Sequence, residues 1–266
     1  MSVGPVIPFS GYAGWAFLKR TQARQEATLS ASPQMRRDET YFREKIGSIK
    51  TAEELVNDRR LLSVATTAFG LEGDLNNKYF LKKVLSDGTL DKADLSNRLA
   101  DKRYLEFSKA FGFGDFSVPN TQLSDFADKI IAQYKSKKFE SAVGETNNSL
   151  RLALNADREL EALSRTSSTT DTKWFTVMGN TPLRRVFETA LGLPSSFASL
   201  DIDQQLSTLK QKSGKLLGDD GFAQFSNPTK REELIRTFLI RDDLASAGVS
   251  VTSRGYGALQ ILTARR

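Results

Sequence analysis

Asp58-Arg59-Arg60-Leu61-Leu62-Ser63-Val64-Ala65-Thr66-Thr67-Ala68-Phe69-Gly70-Leu71 reads as one complete helix with its own stop signal. Leu61, Leu62, Ala65 and Phe69 recur at the three-to-four spacing of an α-helix with one buried face. Gly70 supplies a residue able to take the left-handed conformation that ends many helices, and Leu71 supplies the apolar contact that follows. The pattern returns at Asp101-Lys102-Arg103-Tyr104-Leu105, which leads to Ala110-Phe111-Gly112-Phe113. A looser copy runs from Leu183-Arg184-Arg185-Val186-Phe187 to Ala190-Leu191-Gly192-Leu193. Successive stop glycines lie 42 and then 80 residues apart, an irregular helical array rather than a regular solenoid.

The flanking sequence carries the same helical grammar. Thr51-Ala52-Glu53-Glu54 has capping-box form. Tyr79, Phe80, Val84 and Leu85 form one inner face; Leu95, Leu99, Tyr104, Leu105 and Phe107 form a second, and Leu123, Phe126, Ile130, Ile131 and Tyr134 a third. Phe113, Phe116 and Val118 are expected to pack under the Gly112 turn. Residues 150–163 are rich in Ala and Leu, Trp174, Phe175 and Val177 read as loop aromatics plugging the core, and Thr181-Pro182 reads as a hydroxyl cap followed by proline at the first helical position. Further helices fall at 201–209 and 229–243, with Val249-Ser250-Val251-Thr252 and 258–262 as short tail elements. No alternating strand pattern occurs. The expected fold is all-α, about nine helices, with a helical body over 37–245 that divides into lobes at 37–143 and 144–245. Gly4, Pro5, Pro8, Gly11 and Gly14 argue against early regular structure. Residues 1–36 are therefore expected to be a mobile arm and linker, and 246–266 a tail.

Composition narrows the chemistry. The 266 residues contain no cysteine and no histidine, which removes disulfides, thiolate ligands, the cysteine nucleophile and the commonest general base. No apolar run reaches the length of a membrane span, and the basic Lys19 and Arg20 follow the first apolar patch rather than precede it, unlike a secretory signal. The net charge of +6 suggests nucleic acid until it is located. Residues 1–60 hold ten Lys and Arg against seven Asp and Glu, residues 222–266 hold seven against four, and the stretch between is balanced. A surplus at the ends suits solubilising or partner-binding segments better than a nucleic-acid face.

Individual motifs fail on their missing parts. Ser86-Asp87-Gly88-Thr89-Leu90 overlaps the signature of haloacid-dehalogenase-like phosphatases, but Leu85 stands where the nucleophilic aspartate belongs. Asp87, Asp91 and Asp94 lack the spacing of a calcium loop and suit helix caps instead. Gly112-Phe113-Gly114 and Gly255-Tyr256-Gly257 lack the third glycine of a dinucleotide fingerprint, and Lys215 lacks the rest of a P-loop. No catalytic, cofactor or metal residues are assigned. The aromatic knot Tyr12-Ala13-Gly14-Trp15-Ala16-Phe17-Leu18 and its basic neighbours make Trp15, Phe17, Lys19 and Arg20 the expected partner-binding residues, and Gly70, Gly112 and Gly192 the structural helix stops.

The run from Asn57 through Asp58-Arg59-Arg60-Leu61-Leu62 and Ala68-Phe69-Gly70-Leu71 to Lys78-Tyr79-Phe80-Leu81-Lys82-Lys83-Val84-Leu85 resembles the bacterial domain-of-unknown-function family twelve-seventeen. So do Ser96-Asn97-Arg98-Leu99-Ala100-Asp101-Lys102-Arg103-Tyr104, Leu150-Arg151-Leu152-Ala153-Leu154-Asn155 and Pro182-Leu183-Arg184-Arg185-Val186-Phe187-Glu188-Thr189-Ala190-Leu191-Gly192-Leu193-Pro194. The likeness spans roughly 37–245. It implies a helical protein often encoded among flagellar genes, and it brings no catalytic residues. The expectation drawn from it is a non-enzymatic structural or assembly factor of the flagellum, working through protein contacts, in the cytoplasm or exported through the flagellar apparatus without a cleaved signal. The alternative is a basic nucleic-acid-binding regulator, or, in a third class, an enzyme using Lys, Tyr or carboxylate groups.

Overall fold

A computed structural model describes residues 4–246. Among them the chain forms thirteen α-helices and no strand, against the nine expected. The described residues cluster into two compact units, one of residues 4–6 and 20–146, the other of residues 7–19 and 147–246. The predicted elements at 249–252 and 258–262, and nearly all of the predicted tail, lie outside the described residues.

Helix α1 (Gly11–Ser30) contributes to both units. The remaining helices of the first unit are α2 (Pro33–Lys45), α3 (Ala52–Asn57), α4 (Arg59–Ala68), α5 (Lys78–Asp87), α6 (Leu95–Arg98), α7 (Arg103–Phe111) and α8 (Phe126–Thr146). Those of the second are α9 (Asn148–Ser164), α10 (Thr170–Gly179), α11 (Thr181–Ala190), α12 (Ile202–Leu217) and α13 (Pro228–Ser246).

In the first unit α4 is the central helix. It packs on α2, α3 and α8, and its apolar face, Leu61, Leu62, Val64, Ala65 and Ala68, is wholly buried. Asp58 caps it, its Oδ1 accepting from the amides of Arg60 (3.0 Å) and Leu61 (2.9 Å). Gly70, at φ +68°, ends it in a Schellman motif: the Gly70 amide donates to the Thr67 carbonyl at 3.0 Å and the Leu71 amide to Thr66 at 2.8 Å. Leu71 is 2% exposed, so the apolar half of the motif is also present. Thr51 and Glu54 form the capping box that starts α3. Beside this core, rings of Phe69, Phe107, Phe111, Phe113 and Phe126 stack at centroid distances of 5.1–6.5 Å.

The second unit is assembled on the same plan. In the first, α2 packs on α4 and α8, α3 on α4 and α5, and α4 on α8; in the second, α9 packs on α11 and α13, α10 on α11 and α12, and α11 on α13. Short 3-10 turns recur at the same points, Glu72–Asp74 matching Ser195–Ser199 and Asn120–Gln122 matching Phe222–Ser226. Along the central helix the register is constant: Asp58, Leu61, Val64, Ala68, Phe69, Gly70 and Leu71 correspond to Asn180, Leu183, Val186, Ala190, Leu191, Gly192 and Leu193. Gly192 also closes a Schellman motif, with Leu193 donating to Glu188 at 2.8 Å. The long last helices match as well, Ile130, Ile131 and Tyr134 standing where Leu234, Ile235 and Phe238 stand, all buried. Helices α6 and α7 are an insertion peculiar to the first unit. The second sequence copy, ending at Gly112, therefore belongs to that insertion and ends in the simpler single-bond stop, Gly112 to Ser108 at 2.9 Å. The sequence showed three copies of a stop; the fold contains two copies of a unit.

Several local expectations are corrected. The glycines and prolines before residue 30 do not prevent helix: α1 starts at Gly11 because Trp15 and Leu18 gain full burial, which outweighs the low propensity of Gly14. Trp174 and Phe175 lie on α10 rather than in a loop, capped by Thr169. The cap of α11 is Asn180, whose Oδ1 accepts from the Leu183 amide at 3.2 Å, so Thr181 is already helical. The single helix expected from Leu95 to Phe107 is broken into α6 and α7.

Candidate functional site

Two of the four residues expected to meet a partner are engaged within the second unit. Trp15 is 1% exposed, and its indole Nε1 donates to both carboxylate oxygens of Glu232, at 3.0 and 2.9 Å. Lys19 pairs with Asp157 at 2.8 Å while its ammonium lies 5.4 Å from the Trp15 ring centre. Arg231, 5% exposed, joins the same network through Asp157 (2.8 Å) and Glu161 (3.1 Å), and donates to the Phe225 carbonyl at 2.8 Å. Burial alone would raise the pKa of Asp157, but Arg231 and Lys19 hold it below the ordinary aspartate value. Phe17 is half-buried, edge-on to the exposed Phe9 at 6.3 Å, and Arg20 is exposed. Trp15 and Lys19 are thus an internal anchor for the start of α1. The sequence signal for this was the aromatic knot itself; its partners sit more than 130 residues away along the chain.

In the first unit, α2 and the start of α4 border an open depression of about 350 Å³ lined by Arg36, Arg37, Thr40, Tyr41, Glu44 and Arg60. One of these lining residues, Arg60, is paired with a buried carboxylate. Asp38 accepts from Arg60 Nε (3.1 Å), from Tyr134 OH (3.1 Å) and from Gln34 Nε2 (2.9 Å to one oxygen, 3.1 Å to the other). Gln34 in turn accepts from Arg37 Nη2 at 2.8 Å, so one carboxylate orients two guanidiniums. Burial and the adjacent Asp38 charge push the Tyr134 phenol above its ordinary value. The Arg60 guanidinium lies 4.6 Å from the Tyr41 ring centre, and Tyr41 OH donates to Asp58 at 2.7 Å. The sequence marks Tyr134 as part of a buried helical face, but nothing in it joins that residue to Asp38, 96 positions away, or either of them to Arg60.

The insertion of the first unit presents a different surface. The Thr89 amide and hydroxyl donate to the Asp115 carboxylate at 2.5 and 2.8 Å, and Ser96 Oγ donates to the Gly88 carbonyl at 2.7 Å. Gly114 is pressed so close that a Cβ there would lie 2.4 Å from the Gly88 nitrogen. These two pinned loops hold Leu90, Phe116 and Val118 at 75%, 53% and 64% exposure. Of the three aromatic and branched residues expected beneath the Gly112 turn, Phe113 packs inward, stacking on Phe111 at 5.6 Å, and the Phe116 ring lies against Gly112 while staying half exposed. Val118 faces outward.

The remaining motifs resolve into structure. Asp87 pairs with Lys83, Asp91 and Asp94 belong to a local turn, and Asp219 accepts from the Gly221 amide at 2.7 Å. Among the described residues no group of three or more acidic side chains is placed to hold a metal. Basic residues at the starts of the repeated helices serve the fold: Lys102 binds the Asn97 and Leu99 carbonyls, Arg103 binds Asp101 and the Gly70 carbonyl, and Arg184 binds Glu188 and Gln205. No described helix is long and apolar enough to cross a membrane.

Two related helical units, one enlarged by an insertion, define an all-α protein without a recognisable reaction centre among its described residues. A family model described as "Protein of unknown function (DUF1217)" matches residues 68–230, and the chain belongs to this bacterial family. The matched segment begins at the end of α4, so the α2 depression lies ahead of it. The crystal structure of protein AGR_C_984 from Agrobacterium tumefaciens is similar, with a TM-score of 0.74 and 25% sequence identity over 91% of this chain and 99% of that one. No curated protein matches the chain.

Proposed function

We propose that the protein is a non-enzymatic structural or assembly factor of the bacterial flagellum that works by protein–protein contact. The observation that carries the contact role is the pair of pinned loops displaying Leu90, Phe116 and Val118. Large apolar side chains left more than half exposed on these tied loops gain little from folding, and exposed apolar surface is what binding sites use. The flagellar setting is drawn from the likeness to a family whose members are often encoded among flagellar genes.

The test is genetic. Deleting the gene in its flagellated host is expected to impair swimming and filament assembly, and a Leu90→Asp, Phe116→Asp double variant that folds normally is expected not to restore them. A deletion strain that swims normally and builds ordinary flagella would sink the proposal.

A further inference from the structure

We infer that the depression between α2 and the start of α4 is a binding site for a small oxyanion, a phosphate monoester or a dicarboxylate, independent of the displayed loops. Three arginines line it, and their hydrogen-bonding capacity is largely unspent. The Arg36 side chain makes no hydrogen bond or ion pair among the described residues. Arg37 spends one Nη on Gln34, and Arg60 spends only its Nε, on Asp38, leaving both of its Nη groups without a hydrogen-bond partner among the described residues. The Thr40 hydroxyl, exposed on the same rim, is a further donor. By contrast, Arg43, one turn further along α2, is fully committed to Glu39 and Asp128, and Arg103 to Asp101 and a main-chain carbonyl.

The arrangement is built, not incidental. Asp38 fixes Arg60 directly and Arg37 through Gln34, and Tyr41 gives the Arg60 guanidinium a flat support whose own hydroxyl is tied to Asp58. The second unit shows what the scaffold requires without a ligand. Where the first has Arg60, the equivalent position of α11 is Pro182; where it has Tyr134, the equivalent of α13 is the apolar Phe238, also buried. The same packing of last helix on central helix closes there without this arginine or this hydroxyl, so folding does not demand them. Placing a carboxylate, a phenol and an oriented arginine together in the first unit costs desolvation that a site for an anion would justify.

The chemistry specifies directional acceptors rather than bare charge. Asp38 balances Arg60, and Glu44 on the rim opposes one of the other two guanidiniums, so the net positive charge is small. Guanidinium forks, however, match the paired oxygens of carboxylate and phosphate, and a depression of this volume holds a small molecule.

The full-length protein, titrated at low salt with inorganic phosphate and separately with succinate, is expected to bind at least one of them saturably at a single site. Calorimetry measures the affinity, and amide NMR shifts confined to α2 and the start of α4 locate it. Tighter phosphate binding identifies an ester as the ligand, and tighter succinate binding a dicarboxylate. R36Q and R60Q should each weaken the binding at least tenfold, and R60K nearly as much, because an ammonium cannot reproduce the fork. Should R60Q also lower the unfolding midpoint, R36Q decides alone, since its side chain has no partner to lose. Binding of neither anion, or undiminished binding by R36Q, overturns the inference.

Discussion

Replacing Trp15 by alanine separates an anchored helix from a loose arm more sharply than any other single change. On a mobile arm the substitution would shift stability by less than about 0.5 kcal/mol, as for any surface position. In the structure Trp15 is 1% exposed and donates to Glu232 from the buried side of α1. Truncating a buried tryptophan costs about 3–5 kcal/mol, through lost transfer free energy and the cavity left behind. Glu232 would also lose a donor while keeping Tyr12, whose phenol is raised above its ordinary value first by burial and then by its bond to that carboxylate. For a chain of this length the loss corresponds to roughly 10 °C in unfolding midpoint. Urea unfolding followed by circular dichroism measures it. Limited trypsin digestion reports on the same event locally: cleavage after Lys19 and Arg20 should be slow in the parent and fast in W15A. An unchanged urea midpoint together with an unchanged digestion rate would refute the anchoring of α1.

Trp15 and Trp174 are the two tryptophans, both fully buried, but Trp174 Nε1 finds no hydrogen-bond partner in the described structure. W15F should therefore destabilise by about 1.5–3 kcal/mol more than W174F, since similar cavities form but only the first breaks a charge-assisted hydrogen bond; equal losses by urea titration would contradict the assigned contact. Gly70→Ala should cost about 1–2 kcal/mol through the left-handed backbone alone, because a Cβ there meets nothing closer than Arg103 Nη1 at 3.4 Å. A variant as stable as the parent in the same assay would show that the stop is not strained by a side chain. Asp157 has its pKa depressed in the folded state, so its contribution is fully present above the ordinary aspartate value near 3.8 and is lost as pH falls through the folded value. D157N should be less stable at neutral pH but should flatten the decline of the urea midpoint between pH of about 5 and 3; an identical decline would remove Asp157 as its source.

Helix periodicity made the class of fold legible, since the buried faces of α4, α8 and α13 are written at regular spacing in Leu61, Leu62 and Ala65, in Ile130, Ile131 and Tyr134, and in Leu234, Ile235 and Phe238. The capping box at Thr51 and the left-handed φ at Gly70, Gly112 and Gly192 were legible for the same reason, because each is a local consequence of a few adjacent residues. What was not legible depends on partners distant in sequence. Gly11 and Gly14 look like helix breakers until Glu232 and Leu150 are seen to receive the helix they begin. Phe116 and Val118 look like core, yet both stay more than half exposed beside the loops where Gly114 meets Gly88. The arginine recess was hidden because its organising residue, Asp38, is a single acid in a charged stretch, and the Gln34, Arg60 and Tyr134 that define it come from three helices.

The duplication supplies an internal control that a lone domain lacks. Positions that agree between the two units, such as the N-cap acid or amide, the apolar spine of the central helix and its glycine stop, are those the packing of three helices requires. Positions that disagree are free of that requirement, and two of the places where they do so are the α6–α7 insertion with its displayed Leu90, Phe116 and Val118, and the polar cluster around Asp38. Both lie in the first unit. The second unit spends its buried charge differently, on Arg231, Asp157 and Glu161, which tie helix to helix and leave the arginine 5% exposed with its donors satisfied. A buried arginine closed on two carboxylates is a structural clasp, whereas arginines steadied from behind and open in front are a receptor for an anion. By that physical distinction the second unit is the scaffold's plain form, and the first carries both features from which binding is proposed.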